Sequence, residues 1–353
     1  MTSRERVSKT LRGETPDRVP LSDSYWVTTV ERWHREGLPS DIQPGTYFGT
    51  DEIVFLSGDY TMQFPERVVE ENDRIRVYWD SDGALKRDLF TPEGWTSQWL
   101  DFTIKDSDDW REHSHRLSFN NSRIPSTASS AFRAADGDGK FVCYSAHACF
   151  HPTWMRIGME NELMMMLDQP EFISELLDAH TTLVISIFEG FVDRGIRFDG
   201  VRLADDLGYR TSTLVSPALY RELIFPHHQR LCTYFAELGL PTILHSDGNI
   251  DGLIPDFIEA GFCGLHPLEV KAGLDFARLR SKYGNNLVIY GNIDARALAG
   301  TPEEIEREIS TKLSVASRTG RYIFHSDHSV PNNVPLENYR LAMEFAAKYG
   351  SFD

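Results

Sequence analysis

Residues 241–269 read Pro-Thr-Ile-Leu-His-Ser-Asp-Gly-Asn-Ile-Asp-Gly-Leu-Ile-Pro-Asp-Phe-Ile-Glu-Ala-Gly-Phe-Cys-Gly-Leu-His-Pro-Leu-Glu. This is a complete strand, loop, helix and strand. The short run 242–244 ends in His245 and Asp247. Because strand side chains alternate, those two share a face and Ser246 takes the other. Gly248 permits a sharp turn, and Leu253, Ile254, Phe257 and Ile258 form a stripe at helical spacing that Gly261 ends. A second apolar run, 262–265, finishes in His266 and Glu269. Ionisable groups where a buried strand runs out mark the active edge of parallel α/β folds.

The same unit recurs along the chain. A helix over 2–12 precedes a first strand at 18–21, which ends in Ser22, Asp23 and Ser24. Further strands are expected at 51–56, 141–145, 199–204, 286–290 and 321–324. Helices follow at 160–195, broken near Pro170, after Ser216-Pro217, after Thr301-Pro302-Glu303-Glu304, and from 336 to 349. Strands alternating with helices in this number predict one domain over 1–353, an α/β (β/α)8 TIM barrel. Between 47 and 116 the pattern turns aromatic and alternating around Asp80-Ser81-Asp82-Gly83, which predicts an inserted antiparallel β element. The Ser-, Ala-, Asp- and Gly-rich stretch 120–139 reads as a surface loop.

Across 353 residues, 36 Lys and Arg face 53 Asp and Glu, a formal charge of −17. That balance argues against a nucleic-acid backbone or an anionic membrane surface as the main partner. Four cysteines without a CxxC pair suit a reduced, intracellular setting. The charged N-terminus lacks the apolar core of a signal peptide, and no run of about 18 apolar residues is long enough to span a bilayer. A cytoplasmic protein is the expectation.

Closed into a barrel, the chain gathers Asp23, His147, Asp205, Asp206, His245, Asp247, His266, Glu269, Asp294, His325, Asp327 and His328 at one rim. Buried charges need partners, so this ring implies either a metal ion or a carboxylate and imidazole network poised for proton transfer. His245, Asp247 and His328 supply two imidazoles and a carboxylate, the donor set of a catalytic zinc site, equally suited to iron or manganese. Asp205, Asp206 and Glu269 are the candidate catalytic carboxylates, and Trp26, Asp23, His147 and Asp294 the candidate substrate contacts.

Several motifs resemble the uroporphyrinogen decarboxylase superfamily, which includes corrinoid-linked methyltransferases. They are Arg4-Glu5-Arg6-Val7, Leu11-Arg12-Gly13-Glu14, Pro16-Asp17-Arg18-Val19-Pro20, His245-Ser246-Asp247-Gly248-Asn249, Gly291-Asn292-Ile293-Asp294, and Tyr322-Ile323-Phe324 leading to Asp327-His328. The resemblance implies a (β/α)8 barrel with its site at the strand C-termini. The family's decarboxylases carry Arg-Gln-Ala-Gly-Arg after the first strand, where this chain has Ser22-Asp23-Ser24-Tyr25-Trp26. Its zinc methyltransferases use His-x-Cys and a later Cys, matched here by His245, Asp247 and His328. Carboxylate and imidazole in place of thiolate make a harder, more Lewis-acidic site. The expected function is therefore metal-assisted methyl transfer or demethylation, from a small methylated substrate to a corrinoid protein. Zinc or another divalent metal would be bound, with cobalamin on the partner, and the family's frequent dimers imply a homodimer. The alternatives are a metal-free decarboxylase of a small carboxylic acid, with Asp206 and His328 as acid and base, and a non-catalytic ligand-binding barrel.

Overall fold

The computed structural model describes residues 1–91 and 94–352. Its strands are β1 (Ile53–Leu56), β2 (Arg67–Glu71), β3 (Ile75–Trp79), β4 (Ala84–Thr91), β5 (Gly94–Phe102), β6 (Phe141–His147), β7 (Gly200–Ala204), β8 (Thr242–Ser246), β9 (Gly264–Pro267), β10 (Val288–Tyr290) and β11 (Tyr322–Ile323). Seven of them make one curled parallel sheet in the order β1-β6-β7-β8-β9-β10-β11. The register sets Ala204 beside His245 and His245 beside His266, so neighbouring strands end together in polar groups.

The expected eight-stranded closure is not made as a ladder. The run at 18–21 forms a single parallel bridge, Leu21 to Phe324. Pro20 has no N–H to give, so a regular ladder stops there. Three backbone bonds cross the gap instead: Ser22 N–H to Phe324 O (3.0 Å), Phe324 N–H to Pro20 O (2.9 Å) and Asp51 N–H to Leu21 O (2.5 Å). The buried Asp51 carboxylate accepts the Leu21 amide at 2.9 Å and pairs with Arg18 at 2.7 Å and with the buried Arg6 guanidinium. Arg6 and Arg18, from the N-terminal motif, thus tie the first segment to β1.

Helix starts follow the sequence signals. Thr2 with Glu5, and Thr301 with Glu304, form reciprocal caps, and the Ser216 hydroxyl accepts the Leu219 amide. The helix Ser3–Arg12 turns Val7 and Leu11 into the bottom of the curled sheet, against Cys143, Ile243, Val288 and Ile323. The expected loop at 120–139 contains instead a helix, Ala128–Gly137. Its Ala128, Phe132 and Ala135 are buried on one face, and that packing outweighs the turn-favouring composition. Among the described residues, no helix is long and apolar enough to cross a membrane.

The antiparallel sheet β2-β3-β4-β5 runs from Arg67 to Phe102, inside the stretch 47–116, while β1 in the same stretch joins the parallel sheet. Residues 80–83 make the turn between β3 and β4, with the Asp80 amide bonded to Ala84 O at 2.9 Å. The sheet docks through a buried ion pair, Arg156 to Asp82 at 3.0 Å.

Removing one member of a buried ion pair costs about 3 kcal/mol or more. Asp51→Asn is therefore expected to lower unfolding stability by about 3 kcal/mol, read as a shifted urea midpoint with unchanged slope. An unshifted midpoint would show that the seam does not depend on this carboxylate.

A candidate metal centre at the strand ends

Asp205 and Asp206 follow β7 and, as alternation requires, face opposite ways. Asp205 is fully buried. It accepts the amides of Cys149 (3.4 Å), Phe150 (3.2 Å) and His151 (2.6 Å), and His228 Nε2 lies 2.8 Å away. The Tyr220 hydroxyl, 3.0 Å from His228 Nδ1, completes the chain. With Asp205 accepting, Nε2 carries the imidazole proton and Nδ1 takes the tyrosine's. Asp205 therefore holds the turn after β6 and does not face the mouth.

Asp206 does. Its Oδ1 accepts the Asp247 amide at 3.2 Å and lies 3.9 Å from His245 Nε2. His151 Nδ1 is 2.9 Å from Asp206 Oδ2, off hydrogen-bonding angle. Burial raises the Asp206 pKa, but His151 and then His245 prevail and hold it at about 2. Asp206 is thus a fixed negative charge.

His245 Nδ1 lies 2.7 Å from His266 Nδ1. One proton serves that contact, and with it on His245 the unprotonated Nε2 faces Asp206 and Asp247. Burial, then the Arg202 charge, pushes His245 down to about 3, so it is neutral. His245 Nε2 is 3.9 Å from Asp247 Oδ1, and His328 Nε2 is 3.8 Å from Asp247 Oδ2. Asp247 Oδ1 is buried without a hydrogen-bond partner. Burial, then the Asp206 charge, raises the Asp247 pKa to about 6.

Among the described residues, three groups of side chains are placed to hold a metal: Cys149, Asp205 and His228; Asp206, His245 and Asp247; and Asp247, Glu269 and His328. The first fits poorly, because Asp205 is already committed to three amides and an imidazole. The second fits. A separation of 3.9 Å is too long for a hydrogen bond, yet two bonds of about 2.0–2.2 Å to one ion can span it. The orphaned Asp247 oxygen supplies an acceptor with nothing else to bind. In the third group, Lys271 Nζ lies 3.5 Å from Glu269 and already gives it a countercharge.

Of the expected trio, His245 and His328 fall in different groups, with Asp247 shared between them. Trp26 is exposed and stacks on His328, ring centres 5.8 Å apart and planes 13° apart. Asp23 faces inward, where it accepts the Ser326 hydroxyl at 2.6 Å and the Tyr339 hydroxyl at 2.8 Å. His147 lies exposed at the end of β6, its ring 4.8 Å from that of His151. Asp294 caps the helix Ala295–Leu298 and pairs with Arg296 at 2.7 Å. Glu269 is buried on the turn after β9, which Asn292 secures by donating Nδ2 to Leu268 O and Leu274 O. Sequence reading missed His228, which lies on a helix with no local signal, and Arg202, hidden in an apolar strand.

Close backbone approach fixes the spacing of the acids. Gly248 has φ +78°, and a Cβ there would overlap the Gly208 backbone, while one on Gly208 would overlap the Asp247 carbonyl. Cavities open at this rim among the described residues. One of about 550 Å³ is bordered by Glu269, Lys271 and Arg296, and one of about 190 Å³ by Trp26 and His328.

Comparison with known proteins adds three findings. The family model described as Uroporphyrinogen decarboxylase (URO-D) matches residues 149–349, more than half of the chain. Among curated proteins, uroporphyrinogen decarboxylase of Syntrophotalea carbinolica is 26% identical over 174 residues, 49% of this chain and 48% of that protein. The enzyme of the same name from Chloroflexus aggregans is 27% identical over 187 residues, 52% and 50% of the two chains. The match therefore spans about half the length of these relatives. Among solved structures, a methyltransferase from Methanosarcina mazei superposes with a TM-score of 0.69 at 16% identity, covering 99% of each chain. At that identity the likeness is one of fold.

Asp205→Asn places an amide donor against three amides. It is expected to cost about 3 kcal/mol of stability and to leave whatever metal content the wild type has unchanged. Calorimetric unfolding together with elemental analysis checks this. Unchanged stability with lost metal would instead put Asp205 in the metal centre.

Proposed function

From the premise that the chain belongs to the uroporphyrinogen decarboxylase family, we propose that it is a metal-assisted methyltransferase or demethylase. It moves a methyl group from a small substrate, such as a methyl ether or methylamine, to a separate corrinoid protein. The observation that carries this reading is the unsatisfied Asp247 carboxylate, set between His245 and His328 with Asp206 alongside. Asp206, His245 and Asp247 would hold the ion, with His328 beside Asp247. A bound divalent metal supplies Lewis acidity that polarises the substrate's oxygen or nitrogen and so weakens its bond to methyl.

The remaining residues position and exclude. The His266 contact orients His245, as ligand imidazoles require. Asp206, ionised at about 2, offers charge and no proton. Glu269, beside Lys271 on the wall of the larger rim cavity, positions the substrate and receives or returns its proton. Trp26, stacked on His328, gives one side of the mouth an aromatic surface. The departure from thiolate ligands favours a substrate activated at oxygen or nitrogen. The segment Ser22 to Trp26, after the bridging run 18–21, has no arginine for the many carboxylates of a tetrapyrrole. A second reading, metal-free decarboxylation with His328 handling the proton beside an ionised Asp206, draws support from the names of the curated relatives.

Elemental analysis of the purified protein, beside His245→Ala and Asp247→Ala, tests the choice. About one equivalent of zinc or another divalent metal is expected in the wild type, as for a three-ligand catalytic site. Both variants should lose metal affinity by at least the roughly 100-fold that losing even an outer partner costs, and methyl transfer to a corrinoid acceptor should disappear with it. A well-folded wild type without metal, active on carboxylic acids in the presence of chelator, would install the decarboxylase reading instead.

A further inference from the structure

The missing ladder at the seam leaves a side opening. Between residues 22–25 and β1, a cavity of about 380 Å³ runs from the helix Pro44–Phe48 into the sheet's interior. Its inner wall is formed by Arg202, Tyr290, His266 and His325. His266, which contacts His245, is part of that wall.

Arg202 is the anomaly of this wall. Its Nε is buried with no hydrogen-bond partner. Its terminal nitrogen reaches only the Ser145 hydroxyl, at a marginal 3.5 Å, and the guanidinium lies 4.5 Å from the centre of the Phe55 ring. Among the described residues, no carboxylate lies within ion-pair distance of it. Carboxylates do border the cavity, but each is engaged elsewhere. Asp51 is held by Arg6 and Arg18, Glu52 by Lys140, and Asp23 by Ser326 and Tyr339. A permanently charged, half-buried fork with free donors is built for a planar two-oxygen anion.

We propose that this cavity is a binding site for a small organic carboxylate, with Arg202 gripping the carboxylate and the Phe55, Tyr290 and histidine rings enclosing the remainder. The volume suits a ligand of about benzoate size, in the range usual for small-molecule pockets. The inference stands on Arg202 and the seam and is independent of the metal reading, so either can fail without the other.

The test measures binding of benzoate and of its neutral isostere benzamide to the intact protein by calorimetry, for wild type, Arg202→Gln and Arg202→Lys, with metal content measured on each. Wild type is expected to prefer benzoate at least about tenfold, a preference lost in Arg202→Gln and partly kept in Arg202→Lys, with metal content unchanged. Equal binding of the two probes, or full benzoate affinity in Arg202→Gln, would overturn the proposal. Should the variants fail to fold, wild-type protein treated with phenylglyoxal supplies the decision. Saturating benzoate is expected to slow modification of Arg202, mapped by mass spectrometry, and an unaltered rate would sink the assignment.

Discussion

One buried carboxylate holds the sheet's two ends together. Seven parallel strands curl until β11 and β1 stand one strand apart, and the segment that fills the gap contains a proline that cannot donate. Asp51 makes up the difference. It accepts the Leu21 amide, and it draws in Arg6 from the N-terminal helix and Arg18 from the strand-like run. A buried charge of this kind is expensive alone, and two guanidiniums offset that cost. The same contacts seat Val7 and Leu11 under the interior, so closing the seam and sealing the bottom are one event. Where the clamp ends, a side cavity begins.

Higher in the sheet the logic is alternation. Two adjacent aspartates after β7 face opposite ways, one committed to the chain and the other to the mouth. Asp205 spends its lone pairs on the turn 149–151 and on His228, which fixes the position of His151. His151 then stands against Asp206. Gly208 and Gly248 let the two loops touch at backbone level, and this sets the spacing of Asp206 and Asp247. Crowded carboxylates beside neutral imidazoles are the pattern that a cation resolves.

Much of this was legible in the sequence because local signals and tertiary demands agreed. Thr2 with Glu5, Ser216 with Pro217 and Thr301 with Glu304 announced helix starts, and residues 80–83 announced a hairpin. The strand-end position of His245 and Asp247 followed from period two. Other features depended on contacts distant in sequence. Nothing near Pro20 says that its neighbours will lack a ladder partner, and the helix Ala128–Gly137 is built from residues that elsewhere make loops. Which of Asp205 and Asp206 faces the mouth depends on the register of β7, and His228 meets Asp205 only through a helix 23 residues on. His245 and His328 looked like one ligand set, and only packing shows Asp247 standing between them.

The antiparallel sheet reaches this chemistry through the helix Phe150–Ile157. Trp154 packs edge-on against Trp99 of β5, ring centres 5.3 Å apart, and lies 4.7 Å from the ring of His151. Arg156, two residues further, is fully buried and reaches Asp82 in the hairpin, the Tyr60 carbonyl and His180. His180 in turn contacts the carbonyl of His147 at the end of β6. The helix is therefore gripped by the sheet at one end and by Asp205 at the other. Packed interiors transmit small displacements because they have few voids to absorb them. The inserted sheet thus joins Asp205 in holding His151 where it stands against Asp206.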